Sequence, residues 1–308
     1  MKALALLAAS TLTLAAATTH FVTVAGLGGE PDYEQRFQAL ARDLDKLLKG
    51  GGGDVSVHTF SGAEATRERL KSAFETIARQ AKTEDALVLM LIGHGSFDGY
   101  DYKINLPGAD VSGFELAALL DRGVAGRQLV VNMTSASGGS VPALMKENRS
   151  VISATRTGSE KNATVFARYW VEALRDAAAD TDKNEVITAL EAFRYADQKT
   201  ARYYDSQKRL ATEHAVLEDT GKGEAARAPS VENGQGKLAG RFALVRLGSM
   251  QKAAADPAKR KLAERKEEIE LAIDQLKYEK AALPLEEYRW QLGALLLELA
   301  RIQEELDK

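Results

Sequence analysis

Ala86-Leu-Val-Leu-Met-Leu-Ile92, followed at once by Gly93-His94-Gly95-Ser96, is the stretch that decides the fold. Seven consecutive apolar residues that stop at Gly93 are the pattern of a strand buried on both faces. A strand of that kind needs helices on each side. The flanking sequence supplies them: Tyr33–Leu48 carries Phe37, Leu40, Leu44 and Leu47 at helical spacing, and Thr66–Ala81 carries Leu70, Phe74 and Ile77 on one face. His20–Ala25 and Val55–Phe60 are β-branched or alternating runs that predict two more strands. Ser112-Gly-Phe-Glu115 is a capping box opening a helix through Leu120. Leu129–Val131 and Val151–Ala154 predict further strands, Asn162–Ala178 and Thr188–Gln207 helices, and Arg241–Leu247 a last strand. Strands and helices alternate, so the expected fold is α/β, with a mainly parallel sheet between two helical layers.

The 308 residues include 45% hydrophobic and 28% charged ones, with a net charge of −3 and no cysteine. Thiol catalysis, cysteine-ligated zinc and iron–sulfur clusters are thereby excluded. The near-neutral charge and the lack of a dense Lys/Arg cluster argue against a nucleic-acid partner. Met1–Ala17, with one lysine, an apolar run and a terminal Ala15-Ala16-Ala17, is expected to be an export signal. Residues 18–250 then form the α/β domain of a periplasmic or secreted bacterial protein, with no membrane span once the signal is removed. From Gln251 glycine and strand signals vanish, and residues 251–308 predict a helical hairpin. Leu262, Ile269, Ile273 and Leu276 line its first helix. Pro284 starts the second, where Tyr288, Leu292, Leu295, Leu299, Ile302 and Leu306 repeat in steps of four and three. That seam can close on the partner helix or make a homodimer through the C-terminal helices.

In parallel sheets the working crevice lies beyond the carboxyl ends of the strands. Two segments stand there: Gly93–Ser96, and Asn132-Met-Thr-Ser-Ala-Ser-Gly-Gly-Ser140 after Leu129–Val131. Adjacent strands are about 5 Å apart, so His94 and Ser135 can meet as general base and nucleophile. The small residues Gly95, Gly138 and Gly139 would let a substrate backbone approach.

A buried strand ending His-Gly-Ser, followed about forty residues later by a strand and a small-residue loop ending Ser137-Gly138, resembles the caspase-like fold, and within it the legumain-like cysteine peptidases. The resemblance covers about Phe21–Leu247. It implies a three-layer caspase-like fold, with His94 as the base and the nucleophile two residues before Ser137-Gly138. That position holds Ser135 where the family has cysteine. A hydroxyl ionises far less readily than a thiol, and only Asp98 and Asp101 lie near enough in sequence to orient His94. The resemblance therefore implies a catalytically inactive peptidase homologue that binds a peptide or protein as a scaffold. The alternative is a serine hydrolase using Ser135, His94 and the N–H groups of Gly95 and Ser135.

Asp180-Thr-Asp182-Lys-Asn184-Glu-Val186-Ile-Thr188-Ala-Leu-Glu191 resembles an EF-hand loop. Asp180, Asp182, Asn184, Val186, Thr188 and Glu191 fall at its ligand positions, which implies calcium as the cofactor. Glu185 stands where such loops carry glycine. Thr188-Ala-Leu-Glu191 is also a capping box, so Glu191 can serve its own helix instead. The four histidines show no zinc-ligand spacing, and no phosphate- or dinucleotide-binding glycine motif is present.

Overall fold

The computed structural model of the chain describes residues 17–223, 225–230 and 232–308. The expected export signal lies outside the described residues, apart from Ala17. The central sheet has six strands: β1 (Thr19–Ala25), β2 (Val55–Ser61), β3 (Ala86–Ile92), β7 (Arg127–Asn132), β8 (Arg149–Ser153) and β10 (Val216–Glu218). Their order is β10-β8-β7-β3-β1-β2; every pair is parallel except β10 on β8. The apolar run 86–92 sits at the centre, wholly buried. Its alternate residues serve two cores: Val88, Met90 and Ile92 on one face, Leu87, Leu89 and Leu91 on the other.

The first face is covered by α1 (Pro31–Gly50), α5 (Phe166–Ala173) and α6 (Ala189–Ser206). The second is covered by α2 (Arg67–Gln80), α3 (Gly113–Leu120) and α4 (Val141–Leu144). This is the mainly parallel three-layer α/β arrangement that the alternation predicts. The α3 capping box forms as read, with Ser112 and Glu115 each bonding the other's backbone N–H. Three short strands, β4 (Gly95–Phe97), β5 (Tyr102–Ile104) and β6 (Val111–Ser112), make a small antiparallel sheet beyond the end of β3.

Two expectations are corrected. The helix expected over Asn162–Ala178 spans only Phe166–Ala173. Its first turn is capped from afar, because the Glu213 carboxylate accepts the N–H groups of Val165 (2.7 Å) and Phe166 (3.1 Å). The run Arg241–Leu247 does form a strand, β11 (Ala243–Arg246), but it pairs antiparallel with β9 (Val186–Thr188) outside the central sheet.

Three helices complete the chain: α7 (Gly248–Ala255), α8 (Arg260–Glu279) and α9 (Leu285–Leu306). The last two run antiparallel. Lys259 reaches the carbonyl of Leu306, and Arg265 bonds Glu298. The seam read from sequence closes within the chain: Leu292, Leu295, Leu299 and Ile302 pack with Leu262, Ile269 and Ile273. The hairpin is fastened to the α/β body by the Arg246 guanidinium. It clasps both carboxylate oxygens of Glu267 (2.5 and 2.8 Å) and bonds the carbonyl of Gly52. Among the described residues no helix is long and apolar enough to cross a membrane.

Candidate functional site

β3 and β7 are hydrogen-bonded neighbours, so the loops that leave their carboxyl ends converge. Glycines make the convergence tight. Gly93 has φ +143, a region that side chains rarely adopt, and a Cβ there would meet the backbone of Gly26 at 3.4 Å. A Cβ on Gly95 would lie 2.6 Å from the Ser135 carbonyl oxygen and 2.5 Å from the Tyr102 ring.

Ser135 is therefore pressed against Gly95, and its hydroxyl is used there. The Gly95 N–H donates to Ser135 Oγ at 3.0 Å, and Oγ donates to the Gly95 carbonyl at 3.1 Å. The residue is 2% exposed. Next to it Ala136 takes the left-handed conformation at φ 55, which costs a non-glycine residue about 1–2 kcal/mol. Its N–H is held by the Glu160 carbonyl at 2.8 Å. Behind the loop the polar groups satisfy one another. Ser137 Oγ accepts the Thr155 N–H and the Ser153 hydroxyl, while Gly138 N–H donates to Thr155 Oγ1. Asn132 donates to Ser140 Oγ and accepts from Thr134 Oγ1, which also bonds the buried Tyr102 hydroxyl at 2.6 Å. Burial drives the Tyr102 pKa upward, so the phenol stays neutral.

His94 is brought to the same strand end but is held by other partners. Its half-buried ring packs edge-on against Tyr33 (4.9 Å) and Phe37 (5.2 Å), both on α1. Burial lowers its pKa, against the upward pull of the Gly28 backbone and the Glu30 charge, so the ring is neutral at pH 7. Among the described residues no hydrogen bond joins His94 to Ser135. Asp98 serves its own turn, accepting the N–H groups of Tyr100 and Asp101 at 2.9 Å each, and these bonds hold its carboxyl below the ordinary value. One pair escapes sequence reasoning. His214 Nδ1 lies 2.6 Å from Glu160 Oε1, so the residue whose carbonyl holds Ala136 also carries a histidine on its carboxylate. Their separation of 54 residues leaves no local signal.

The loop 180–191 gathers its acids. Carboxylate oxygens of Asp180, Asp182 and Glu191 lie within 4.8 Å of one another. Glu185 adopts the left-handed turn at φ 65 without being glycine. Its carboxylate accepts N–H bonds from Ser249 (2.8 Å) and Met250 (3.0 Å) at the start of α7, which offsets the strain. The capping box also forms. Glu191 Oε2 accepts the N–H and hydroxyl of Thr188, and Oε1 accepts both donors of Thr181. Asp180 accepts the N–H groups of Asn184 and Glu185. Asp182 is exposed to solvent, yet partial desolvation by the surrounding loop first, then the charges of Glu191 and Asp180, push its carboxyl up to about 6, against the pull of the Asn184 N–H.

No protein-family model matches the chain, and no curated protein matches it. Among solved structures, a structural-genomics protein from Geobacter sulfurreducens is similar at 12% identity, over 75% of this chain and 100% of its own, with a TM-score of 0.49. The Drosophila initiator caspase Dronc is similar at 11% identity, over 68% of this chain and 81% of its own, with a TM-score of 0.44. Caspase-1 from Spodoptera frugiperda is similar at 15% identity, over 66% and 86%, with a TM-score of 0.42.

Proposed function

We propose that this chain is a peptidase-like α/β domain in which the position of the nucleophile serves structure, and that it acts by binding a peptide or protein rather than cleaving one. The motif around His94-Gly95 and Ser137-Gly138 supports the peptidase-like half. One observation supports the inactive half: the Ser135 hydroxyl spends its proton on the Gly95 carbonyl and a lone pair on the Gly95 N–H. A serine nucleophile must hand that proton to a base, and the base needs a third group to orient it. His94 instead packs its ring against two aromatic rings. The Gly95 N–H, engaged by Ser135, is also not free to receive an oxyanion. With residues 1–17 read as an export signal, the domain would work in the periplasm or outside the cell. The test compares ester and peptide hydrolysis by the native chain and by Ser135→Ala. Equal, background rates support the proposal; hydrolysis that disappears with the substitution would establish the serine hydrolase.

For the loop 180–191 we propose weak calcium binding, carried by the convergence of the three carboxylates. Asp180, Asp182, Asn184 and Glu191 would hold the ion through side chains, joined by the Val186 carbonyl and Thr188. The donors are all hard oxygens, which suits calcium. A bound cation would neutralise the crowded charge that raises Asp182. Affinity is limited because Glu191 must give up bonds to Thr181 and Thr188. A rise in melting temperature with millimolar calcium that is lost in Asp182→Asn supports this role. No rise would make the loop a capping device alone.

A further inference from the structure

We infer that α9 carries a second seam, on the side turned away from α8, through which two copies of this chain pair as an antiparallel, two-fold symmetric dimer. With Leu292, Leu295, Leu299 and Ile302 occupied by α8, the opposite side of α9 should be polar. It is not. Trp290 is 74% exposed and Leu297 64%. With Gly293 and Ala300 they stand at steps of three, four and three, the spacing by which one helix faces another.

The order of residues selects a second copy as the occupant. Placing a two-fold axis at residue 295 sets Trp290 against Ala300 of the other copy and Leu297 against Gly293, large against small in each layer. The space exists, since a Cβ on Gly293 would meet nothing within 4 Å. On the flanks the same axis leaves Glu287 and Arg301, twice by symmetry, and Leu296, 48% exposed, with its own copy each offset by about 3 Å along the helix, within side-chain reach. Arg301 has no ion-pair partner among the described residues, and Glu287 accepts only from Gln291. Beyond these layers Glu286 would face Glu304, a like-charge contact that costs association and is only partly offset by the exposed pairs each makes in its own chain, with Arg289 (3.2 Å) and Lys308 (3.5 Å). A seam of four layers is small beside standard interfaces, so the dimer is a weak one.

Sedimentation velocity of the full chain from about 1 to about 200 µM, the range where a small interface associates, reads the proposal directly. The expected result is a monomer–dimer equilibrium, with the Trp290 emission shifting to shorter wavelength as the dimer fills; Trp170, fully buried, stays constant. Leu297→Glu should give a monomer at every concentration with unchanged melting, because the site is exposed. Arg301→Glu and Glu287→Arg should each weaken association about fivefold, and the double reversal should restore it. A monomer throughout would leave the face to a different partner and overturn the proposal. So would a dimer indifferent to Leu297→Glu, or a double reversal that restores nothing.

Discussion

Replacing Ser135 by alanine separates a structural serine from a nucleophilic one. The substitution removes one atom, and with it both bonds to Gly95, at 3.0 and 3.1 Å. A cavity the size of a hydroxyl is minor; the cost lies in what is stranded. The Gly95 N–H and carbonyl lose their partner in a pocket where Ser135 is 2% exposed and Gly95 is half-buried. An unsatisfied buried polar group costs about 1–3 kcal/mol, and the lower end applies to half-buried ones, so two groups give about 2 kcal/mol. For a body of this size, that lowers the melting temperature by about 4–8 °C. Thermal and urea unfolding of the two proteins would measure it, with exposed Ser96→Ala as a control expected within about 0.5 kcal/mol of the native chain. A nucleophile held ready for substrate directs its proton to a base rather than to a backbone carbonyl. A Ser135→Ala protein as stable as the native chain, or more so, would show that the two bonds to Gly95 hold nothing in place.

Gly95→Ala should be worse. Its Cβ would fall 2.5 Å from the Tyr102 ring, 2.6 Å from the Ser135 carbonyl oxygen and 2.8 Å from Thr134 Oγ1, two of them atoms that cannot swing away, and unfolding should show a loss of about 3 kcal/mol. Arg149, 2% exposed, bonds Gln128, the Leu144 carbonyl and Asp121; Arg149→Met should cost about 3 kcal/mol in urea unfolding by stranding the buried Gln128 and Leu144 oxygens, while Asp121 keeps solvent and Lys146. Asp182→Asn should raise the melting temperature at pH 7 in calcium-free buffer. The folded protein lifts this carboxyl from 3.8 to about 6, so its charge penalises the folded state increasingly as pH rises between those values and little below about pH 4, a penalty that solvent screening reduces because Asp182 is exposed. Melting curves at pH 7 and pH 4 should therefore show a gain only at the higher pH.

The legible parts of this fold are those whose signal is local. The run 86–92 declares its own double burial, and Ser112 with Glu115 declares a helix start three residues apart, so β3 and α3 stand where the sequence puts them. The three-residue strands β4 and β5 are too short to show a period, and they form because the chain beyond His94 must turn back over the end of the sheet. The beginning of α5 is set by Glu213, 47 residues beyond Phe166, and no local pattern announces that. The site follows the same division. Adjacency of the two loops is readable because they end neighbouring buried strands. The engagement of Ser135 with Gly95 is not, because it depends on backbone approach to within a hydrogen bond. Glu185 shows the converse case: a residue wrong for its turn by local rules is held there by Ser249 and Met250, 64 and 65 positions away.

The most direct trial of the central claim is covalent. A fluorophosphonate probe incubated with the native chain reports whether the Ser135 hydroxyl can act as a nucleophile. Locked between the two backbone groups of Gly95, it should remain unlabelled, with the native protein indistinguishable from Ser135→Ala. Labelling of the native chain that vanishes in Ser135→Ala would contradict the account.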